Sequence, residues 1–410
     1  MTAVAEHAVP LARDFTNCSD CDAHEMIPTP LWGEAFGDIG QRFIDICGDM
    51  TLLSAEGSGE NAIVRDDLRA DHADITEDTV WGVRGPDAPS AIDLKRRAQV
   101  LDLMGVDKQL IYPTFGMVGL ILAYNPMAHL YFGYDPTTVD RLTTGREVLD
   151  GHNEWCLRTM RELGDDRVRP VAVIQTDSIE QMMADAERLV DGGIRAVMIP
   201  NGVPPANTSP ADTALDPFWR LFAEANVPIT FHIGTEFALL ASPMWSRNVP
   251  VFESSHGSSI EFPIQPYWGA TLNLSSENYL TAMILGGVLE RHPELRVGSI
   301  EVGAHWLGPL AERLDSWADE FSRRLTPVLS MKPSEYINRQ VRVTPFVFED
   351  VAFYFDRYPQ IADSYCFATD FPHKEGGKFS KRIYREKLAG ADETTLRKFF
   401  IDNGSLLLPA

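Results

Sequence analysis

The feature that most constrains the fold is an alternation of short apolar runs with longer amphipathic stretches, which continues from about residue 100 to the end of the chain. Each apolar run is rich in β-branched or aromatic residues and is bounded by Gly, Pro or Asp, as β-strands are. The runs lie at residues 105–114, 169–176, 194–200, 227–234, 295–301, 341–347 and 365–369, and a further strand is predicted to lead to Asp22. Eight strands alternating with helices predict an α/β fold, a (β/α)8 TIM barrel, although an open parallel sheet also fits this pattern.

Amphipathic patterns between these runs predict helices. They cover Ser178–Val190, with Asp177 as the N-cap, Pro217–Ala225 with proline at the helix start, and Glu277–Arg291. Two long segments, about 48–89 and 235–276, interrupt the alternation, and in a barrel such loops form lids or substrate walls at the mouth. Because no internal repeat or linker is evident, residues 1–410 are predicted to form one domain, with an N-terminal extension of about 1–17.

Charge and composition limit the possible partners. The formal net charge of −23 repels phosphate backbones and anionic lipids, so neither nucleic acid nor a membrane is an expected partner. The N-terminus has no signal-peptide pattern, and no apolar run approaches the length of a membrane span. The five cysteines are few and odd in number, which argues against a disulfide framework. These observations predict a cytoplasmic protein with reduced thiols that acts on a small molecule.

Four side chains at predicted strand ends have the chemistry of metal ligands. Asp22 and His24 lie two residues apart, so on a strand both point to the same face, whereas Glu25 points away. His232 and Asp370 follow two later strands, and the carboxyl ends of all strands meet at one mouth of a barrel. Two imidazoles and two carboxylates suit one Zn²⁺, Mn²⁺ or Fe²⁺ ion. The alternative is that each residue is structural, as a helix cap, a core histidine or a turn residue.

Several ordered motifs resemble the amidohydrolase-related family, which includes aminocarboxymuconate semialdehyde decarboxylases and γ-resorcylate-type decarboxylases. They are Asp22-x-His24, Phe231–Gly234, Glu301–Trp306 followed by Pro309, Ala368–His373 and Phe400–Leu407. The resemblance covers nearly the whole chain from about residue 20. It implies a barrel with a single divalent ion held by Asp22, His24, His232 and Asp370. Members of the family are often homodimers and cleave C–C or C–N bonds by non-oxidative decarboxylation or hydrolysis.

Glu301 stands where decarboxylases of that family typically carry a histidine that moves a proton. We predict Glu301 as a catalytic acid or base, with His256 or His305 assisting. A structural Glu301, capping the next helix or paired with Arg313, is the alternative. The segment Ile199–Asn201 has no lysine, so the sequence does not support the carbamylated-lysine bridge of binuclear amidohydrolases.

The predicted mouth loops also carry candidate substrate-binding residues. A substrate carboxylate would need a basic partner, for which Arg84, Arg247 and Lys374 are the nearest cations. Trp245 and Trp268 give the second loop an aromatic character, which indicates an apolar or aromatic substrate or a subunit contact. His373 is predicted to bind substrate or to orient a ligand carboxylate.

The leading hypothesis is a metal-dependent hydrolase or carboxy-lyase acting on a small carbonyl- or carboxylate-bearing organic substrate. Two alternatives remain open from the sequence. One is a dinuclear iron or manganese oxygenase, in which Glu301, His305, His256 and Glu25 would help to hold a second ion. The other is a catalytically silent subunit in a hetero-oligomer with an active paralogue.

Overall fold

A computed structural model describes residues 14–47, 73–234, 239, 245–252 and 265–410 of the chain. Its strands are short and all pair in parallel. They are β1 (Cys18–Asp20), β2 (Val106–Ile111), β3 (Val168–Pro170), β4 (Ala172–Val173), β5 (Val197–Met198), β6 (Ile229–His232), β7 (Val297–Ile300) and β8 (Val341–Val343).

The strands follow one another in chain order around a ring. One sheet has the order β1-β2-β3 and the other the order β4-β5-β6-β7-β8. Only Val171 separates β3 from β4, and its N–H donates to the carbonyl of Ile111 at 2.9 Å, so the single strand predicted at 169–176 is divided here between two sheets. At the other seam Tyr365 bridges to Val343 and Phe371 bridges to Ala23. Residues 365–371 thus join β8 to β1, as the last strand of a (β/α)8 barrel does.

Residues 365–369 do not form a regular strand, contrary to the prediction, because two of their N–H groups bond elsewhere. The N–H of Phe367 donates to the carbonyl of Phe399, and that of Thr369 donates to the side chain of Asp20. The strand predicted to lead to Asp22 likewise ends at Asp20, and Ala23 and His24 continue only as isolated bridges. The seam between the first and last strands therefore combines backbone hydrogen bonds, such as that from the N–H of His24 to the carbonyl of Phe371, with two bonds to the side chain of Asp20.

Helices follow the strands on the outside of the ring. In chain order they are α1 (Trp32–Phe36), α2 (Asp38–Cys47), α3 (Glu77–Gly82), α4 (Arg97–Met104), α5 (Phe115–Tyr124), α6 (Ala128–Phe132), α7 (Arg141–Leu163), α8 (Ile179–Asp191), α9 (Asp216–Ala225), α10 (Pro266–Gly269), α11 (Leu274–Leu285), α12 (Val288–Arg291), α13 (Leu307–Glu320), α14 (Ser322–Leu325), α15 (Pro333–Gln340), α16 (Val351–Arg357), α17 (Ser380–Lys387) and α18 (Glu393–Arg397). None of these helices combines the length and apolarity needed to cross a bilayer.

Two details of the predicted helices are wrong. The N-cap of α8 is Ser178, whose hydroxyl accepts from the N–H of Gln181, while Asp177 pairs with Arg146 on a neighbouring helix. The helix predicted at Glu277–Arg291 is two helices, because Gly287 between them has φ 78°, which a continuous right-handed helix does not accommodate.

Apolar side chains fill the ring of strands. Leu110, Val171, Val173, Met198 and Ile300 belong to one buried cluster, and each lies on or directly beside a strand. Tyr112 belongs to the same cluster and its ring stacks on His232, with centroids 4.3 Å apart. The apolar packing of the barrel interior therefore reaches the residues predicted to bind metal.

Candidate metal centre

The side chains predicted as metal ligands meet at one end of the ring of strands. The Nε2 atom of His24 lies 3.4 Å from Oδ1 of Asp22 and 3.3 Å from Oδ1 of Asp370. The Nε2 atom of His232 lies 3.6 Å from Oδ1 of Asp22 and 3.1 Å from Oε2 of Glu301. These five side chains come from four places in the chain and are almost entirely buried.

Four of these residues lie at or just beyond the carboxyl end of a strand, and the fifth, Asp370, lies at the seam. His232 is the last residue of β6, Glu301 follows β7 directly, and Asp22 and His24 lie just beyond β1. Asp370 lies between Thr369 and Phe371 at the seam, where its N–H donates to the carbonyl of Asp22 at 2.8 Å. Parallel strands direct these ends to the same mouth, so residues up to 350 positions apart become neighbours.

The backbone is strained at two of the five residues. Glu301 has φ 56° and Asp370 has φ 50°, a left-handed conformation that residues other than glycine rarely adopt. Such strain persists only where the surrounding structure enforces it, and it is concentrated at functional sites. Here it turns both carboxylates toward the cluster at the ends of their strands.

Several buried polar atoms in the cluster lack a hydrogen-bond partner among the described residues. They are Oδ1 of Asp22, Nδ1 and Nε2 of His24, Nε2 of His232 and Oδ1 of Asp370. An unpaired buried polar atom is costly, and a group of them facing one point is what a cation relieves. Two groups of residues offer ligand atoms that all lie within 4.8 Å of one another. The first group is Asp22, His24, His232 and Glu301, and the second is His24, Glu301, Asp370 and His373. The donor set, with imidazole nitrogens and carboxylate oxygens, fits a divalent transition metal.

The electrostatics of the cluster also match a cation site. Burial, with the charge of Asp370 nearby, raises the pKa of Asp22 to about 7. Burial and the charges of Asp370 and Asp22 hold the pKa of Glu301 well above its usual value. Burial lowers the pKa of His24 to about 4 and also lowers the pKa of His232, so both imidazoles are neutral at pH 7. Neutral imidazoles are the form that binds metal, and crowded carboxylates are stabilised by a positive ion.

His373 contacts two members of the cluster. Its ring stacks on that of His24 with centroids 3.6 Å apart, and its Nδ1 lies 3.1 Å from Oδ1 of Asp370. Burial would raise the pKa of Asp370, but the charge of His373 and the side-chain contacts with His24 and His373 outweigh it and lower that pKa. Because the lone pairs of stacked rings run nearly parallel, His24 and His373 do not converge on one ion in this arrangement. His373 therefore acts here on the carboxylate of Asp370.

The remaining predicted site residues lie around this cluster. His305 is half-exposed and pairs with Glu349 at 3.7 Å, and Glu349 also accepts from the N–H groups of Ala304 and His305. Glu25 points away from the cluster and accepts from the N–H groups of Ile27 and Thr114. The structure thus brings neither His305 nor Glu25 into the group of possible ligands, and the catalytic role of His305 stays a prediction.

The predicted substrate-binding residues differ in their surroundings. Arg84 is partly buried and donates to the carbonyls of Gly377 and Val83, with its guanidinium 5.6 Å from the centroid of the Phe371 ring. Trp245 and Arg247 are exposed, and Trp268 is partly buried against the core. His256, with residues 253–264, lies outside the described residues.

A cavity of about 20 Å³ adjoins the cluster, which is room for about one water molecule. Its lining includes the carboxylates of Asp22, Glu301, Asp370 and Glu375. The mouth side of the cluster therefore offers a small, strongly acidic space next to the possible ligand atoms.

Sequence reasoning missed the residues that hold the ligands in place. Asp20, fully buried at the end of β1, accepts from both the N–H and the hydroxyl of Thr369, at 2.8 and 2.6 Å. The spacing of two between Asp20, Asp22 and His24 was a signal that Asp20 shares their side of the chain. Nothing in the sequence indicated Thr369 as its partner.

The family of the chain follows from its sequence. Residues 124–405 match the family model described as amidohydrolase, which is more than half of the chain. The chain therefore belongs to the amidohydrolase family, as the motifs predicted. No curated protein is significantly similar to it.

Solved structures confirm the predicted barrel. An amidohydrolase from Mycobacterium avium subsp. paratuberculosis K-10 superposes with a TM-score of 0.64 at 19% identity, covering 97% of this chain and 100% of that chain. A 2,6-dihydroxybenzoate decarboxylase with bound 2,6-dihydroxybenzoate gives 0.59 at 15%, covering 96% and 99%. The 5-carboxyvanillate decarboxylase of Novosphingobium aromaticivorans DSM 12444, solved with manganese and a nitrobenzoic acid ligand, gives 0.57 at 15%, covering 98% and 100%. At these identities the likeness is one of fold.

Proposed function

We propose that this enzyme is a hydrolase or non-oxidative carboxy-lyase that uses one divalent metal ion held by Asp22, His24, His232 and Asp370. The observation that carries the proposal is that buried ligand atoms of these residues lie side by side at the mouth: Nε2 of His24 is 3.4 Å from Asp22 and 3.3 Å from Asp370, and Nε2 of His232 is 3.6 Å from Asp22. A bound ion would polarise a substrate carbonyl or carboxylate, or lower the pKa of a water molecule. Manganese is our first choice of metal, because decarboxylase structures of the same fold contain it.

We propose one ion rather than two, because the two groups of possible ligands share His24 and Glu301. The groups are therefore alternative subsets of one six-residue cluster. A dinuclear oxygenase would need a further set of ligands. Two metals per chain together with oxygen consumption during turnover would favour that alternative over the present proposal.

Glu301 is the residue that we assign to proton transfer. Its carboxylate lies 3.1 Å from Nε2 of His232 and also lines the small cavity, so it reaches both the ligands and the space beside them. In a hydrolysis it would accept a proton from the attacking water. In a decarboxylation it would donate a proton to the carbon that loses CO₂.

The substrate is proposed to be a small organic acid or carbonyl compound, with aromatic acids as the first class to examine. Hydroxylated benzoates are named with structures of the same fold, and the predicted mouth loop here is rich in aromatic residues. Arg84 is the cation proposed to face a substrate carboxylate. It is close enough to the cluster for the charge of Asp370 to raise its pKa, and its guanidinium lies beside the ring of Phe371. Arg247, Trp245, Trp268 and His373 are proposed to complete the substrate-binding surface.

The test is a comparison of reactions on the metal-loaded enzyme. Purified protein is stripped with a chelator, reloaded with Mn²⁺, Zn²⁺ or Fe²⁺, and given hydroxybenzoates, with CO₂ release measured, and esters, lactones and amides, with hydrolysis measured. Metal-dependent turnover in either arm supports the proposal and separates the two reactions. Turnover that is equal with and without metal would contradict it. Light scattering on the same sample tests the proposed homodimer, and mass analysis would reveal any partner paralogue.

A further inference from the structure

We propose that Asp20, Gln109, Arg97 and Thr369 form a buried hydrogen-bond network that positions the metal ligands, and that the network is required for tight metal binding. This network, called here the Asp20 network, rests on the metal centre proposed above. Its members are not themselves ligands: none belongs to the groups of converging ligand atoms among the described residues.

Asp20 lies at the centre of the network. Its side chain is fully buried at the end of β1 and accepts four hydrogen bonds. Three are short: 2.6 Å from Nε2 of Gln109, 2.6 Å from the hydroxyl of Thr369 and 2.8 Å from the N–H of Thr369. The fourth comes from the N–H of Asp22 at 3.4 Å. One carboxylate therefore contacts the residue that precedes the ligand Asp370 and the backbone of the ligand Asp22.

Arg97 extends the network to the other ligand of the first segment. It projects from α4, is fully buried, and donates to Oε1 of Gln109 at 3.0 Å and to the carbonyl of His24 at 2.9 Å. Its guanidinium also lies 5.0 Å from the centroid of the Phe371 ring, next to Asp370. Arg97 thus touches both segments that carry ligands, one through a carbonyl and one through an aromatic face.

The chemistry of the network argues for positioning rather than for stability alone. Burying a carboxylate and a guanidinium is expensive, and well-packed apolar residues often stabilise a fold as much as such groups do. Here Gln109 links the two charges, and each charge has one hydrogen bond to the backbone of a ligand residue: Asp20 accepts from the N–H of Asp22, and Arg97 donates to the carbonyl of His24. Arg97 also donates to the carbonyl of Ser90. Groups that orient metal ligands commonly change metal affinity by about 10- to 100-fold when they are removed.

A matched pair of glutamine variants tests the proposal. Gln340 is a buried amide like Gln109. Its Oε1 accepts from Arg339, and its Nε2 donates to the carbonyls of His292 and Leu295, at the amino end of β7 and away from the ligands. We expect Gln109→Met to raise the dissociation constant for Mn²⁺ by about tenfold or more and to change the visible absorption spectrum of the Co²⁺-loaded protein. Gln340→Met is expected to lower the melting temperature without changing either metal readout.

A second pair keeps the test decisive if Gln109→Met does not fold. Thr369→Val replaces with a methyl group the hydroxyl that donates to Asp20 and accepts from the N–H of Phe371, whereas Thr369→Ser keeps the hydroxyl and loses the methyl group. We expect weaker metal binding in Thr369→Val and affinity within about twofold of wild type in Thr369→Ser, because the hydroxyl makes the hydrogen bond to Asp20.

Unchanged Mn²⁺ affinity and Co²⁺ spectrum in Gln109→Met and Thr369→Val would overturn the proposal, as would equal losses in Gln109→Met and Gln340→Met. Either result leaves the proposed metal centre intact. Wild-type protein that binds neither ion would instead refute the metal centre, and with it the role of the Asp20 network.

Discussion

Two sets of buried polar side chains, one at each end of the barrel, differ in their hydrogen bonding. At the amino ends of the strands, Gln340 donates to the carbonyls of His292 and Leu295, and the buried guanidinium of Arg342 donates to the carbonyls of Asn403, Asn338 and Val341. At the carboxyl ends, Asp22, His24, His232 and Asp370 keep buried atoms that make no hydrogen bond to a described residue.

The backbone shows the same contrast. Glu301 and Asp370 at the carboxyl ends have left-handed backbone conformations, whereas Gln340 and Arg342 lie in or beside a regular helix and strand. A fold selected only for stability would satisfy both ends alike. The difference fits the proposal that the carboxyl end is built to bind a cation.

The largest expected effect comes from removing a ligand carboxylate. Asp370→Asn should lower metal affinity by more than about 100-fold, since losing a ligand costs more than losing a group that orients one, and it should abolish nearly all turnover. Metal per chain is measured by elemental analysis, and folding by circular dichroism. Asp185→Asn, which alters a buried carboxylate on α8 that accepts from the N–H of Gln175, is the control and should retain metal and activity. Normal metal content in Asp370→Asn would remove Asp370 from the proposed ligand set.

The next effect separates a ligand from a proton carrier. If Glu301 moves the proton, Glu301→Gln should reduce kcat by about 10²- to 10⁴-fold with metal affinity nearly unchanged. The measurements are turnover and Mn²⁺ titration on the same preparation. A parallel loss of both would make Glu301 a ligand instead, and an unchanged kcat would refute its catalytic assignment.

A pair of glycine variants tests the packing that supports Asp370. A Cβ on Gly376 would lie 2.5 Å from the carbonyl oxygen of Thr369 and 2.6 Å from Cβ of Asp370, while a Cβ on Gly390 would meet nothing within 4 Å. Because the contact is with backbone, Gly376→Ala should cost about 1–3 kcal/mol and weaken metal binding. Gly390→Ala should stay within about 0.5 kcal/mol of wild type. Denaturant melts and metal titrations check both variants, and equal stabilities would contradict the close approach at Gly376.

The smallest expected effect is a pH dependence confined to the ligand end. The pKa of Asp22 is raised to about 7 in the metal-free protein, so metal must displace a proton below that pH. Affinity should fall by about tenfold per unit as pH decreases below about 7, with release of about one proton. Because the folded state holds this proton more tightly than the unfolded state, metal-free protein loses stability as pH rises from about 4 to about 7. Calorimetry in buffers of different ionisation enthalpy measures the proton, and a pH-independent affinity from 5 to 8 would contradict the shift.

The sequence predicted the barrel well because its information is local. Apolar runs and the amphipathic stretches at Ile179–Asp191 and Asp216–Ala225 need only their own periodicity to be recognised. The prediction of a strand at 365–369 was wrong, because N–H groups of this segment donate to the carbonyl of Phe399 and to the side chain of Asp20. Asp20 is distant from the segment in sequence. The division of the predicted Glu277–Arg291 helix depends on the backbone of Gly287 rather than on any change in hydrophobic pattern.

The candidate site, like the fold, could be predicted from the sequence only in part. The spacing of Asp22 and His24 and the strand ends at His232 and Asp370 predicted which side chains would meet. The structure groups Asp22, His24 and His232 with Glu301, and it places Asp370 beside His24, while their role as ligands stays a prediction. The stacking of His373 on His24 and the bond from Thr369 to Asp20 join residues about 350 positions apart. Such contacts depend on the closed seam of the barrel, which no local pattern in one sequence reports.

The most direct test is an anomalous difference map, collected at the manganese absorption edge, from crystals of the Mn²⁺-loaded protein. We predict one peak per chain, within about 2.4 Å of ligand atoms of Asp22, His24, His232 and Asp370. A map with no peak among these residues, or with its peak elsewhere in the chain, would contradict the account.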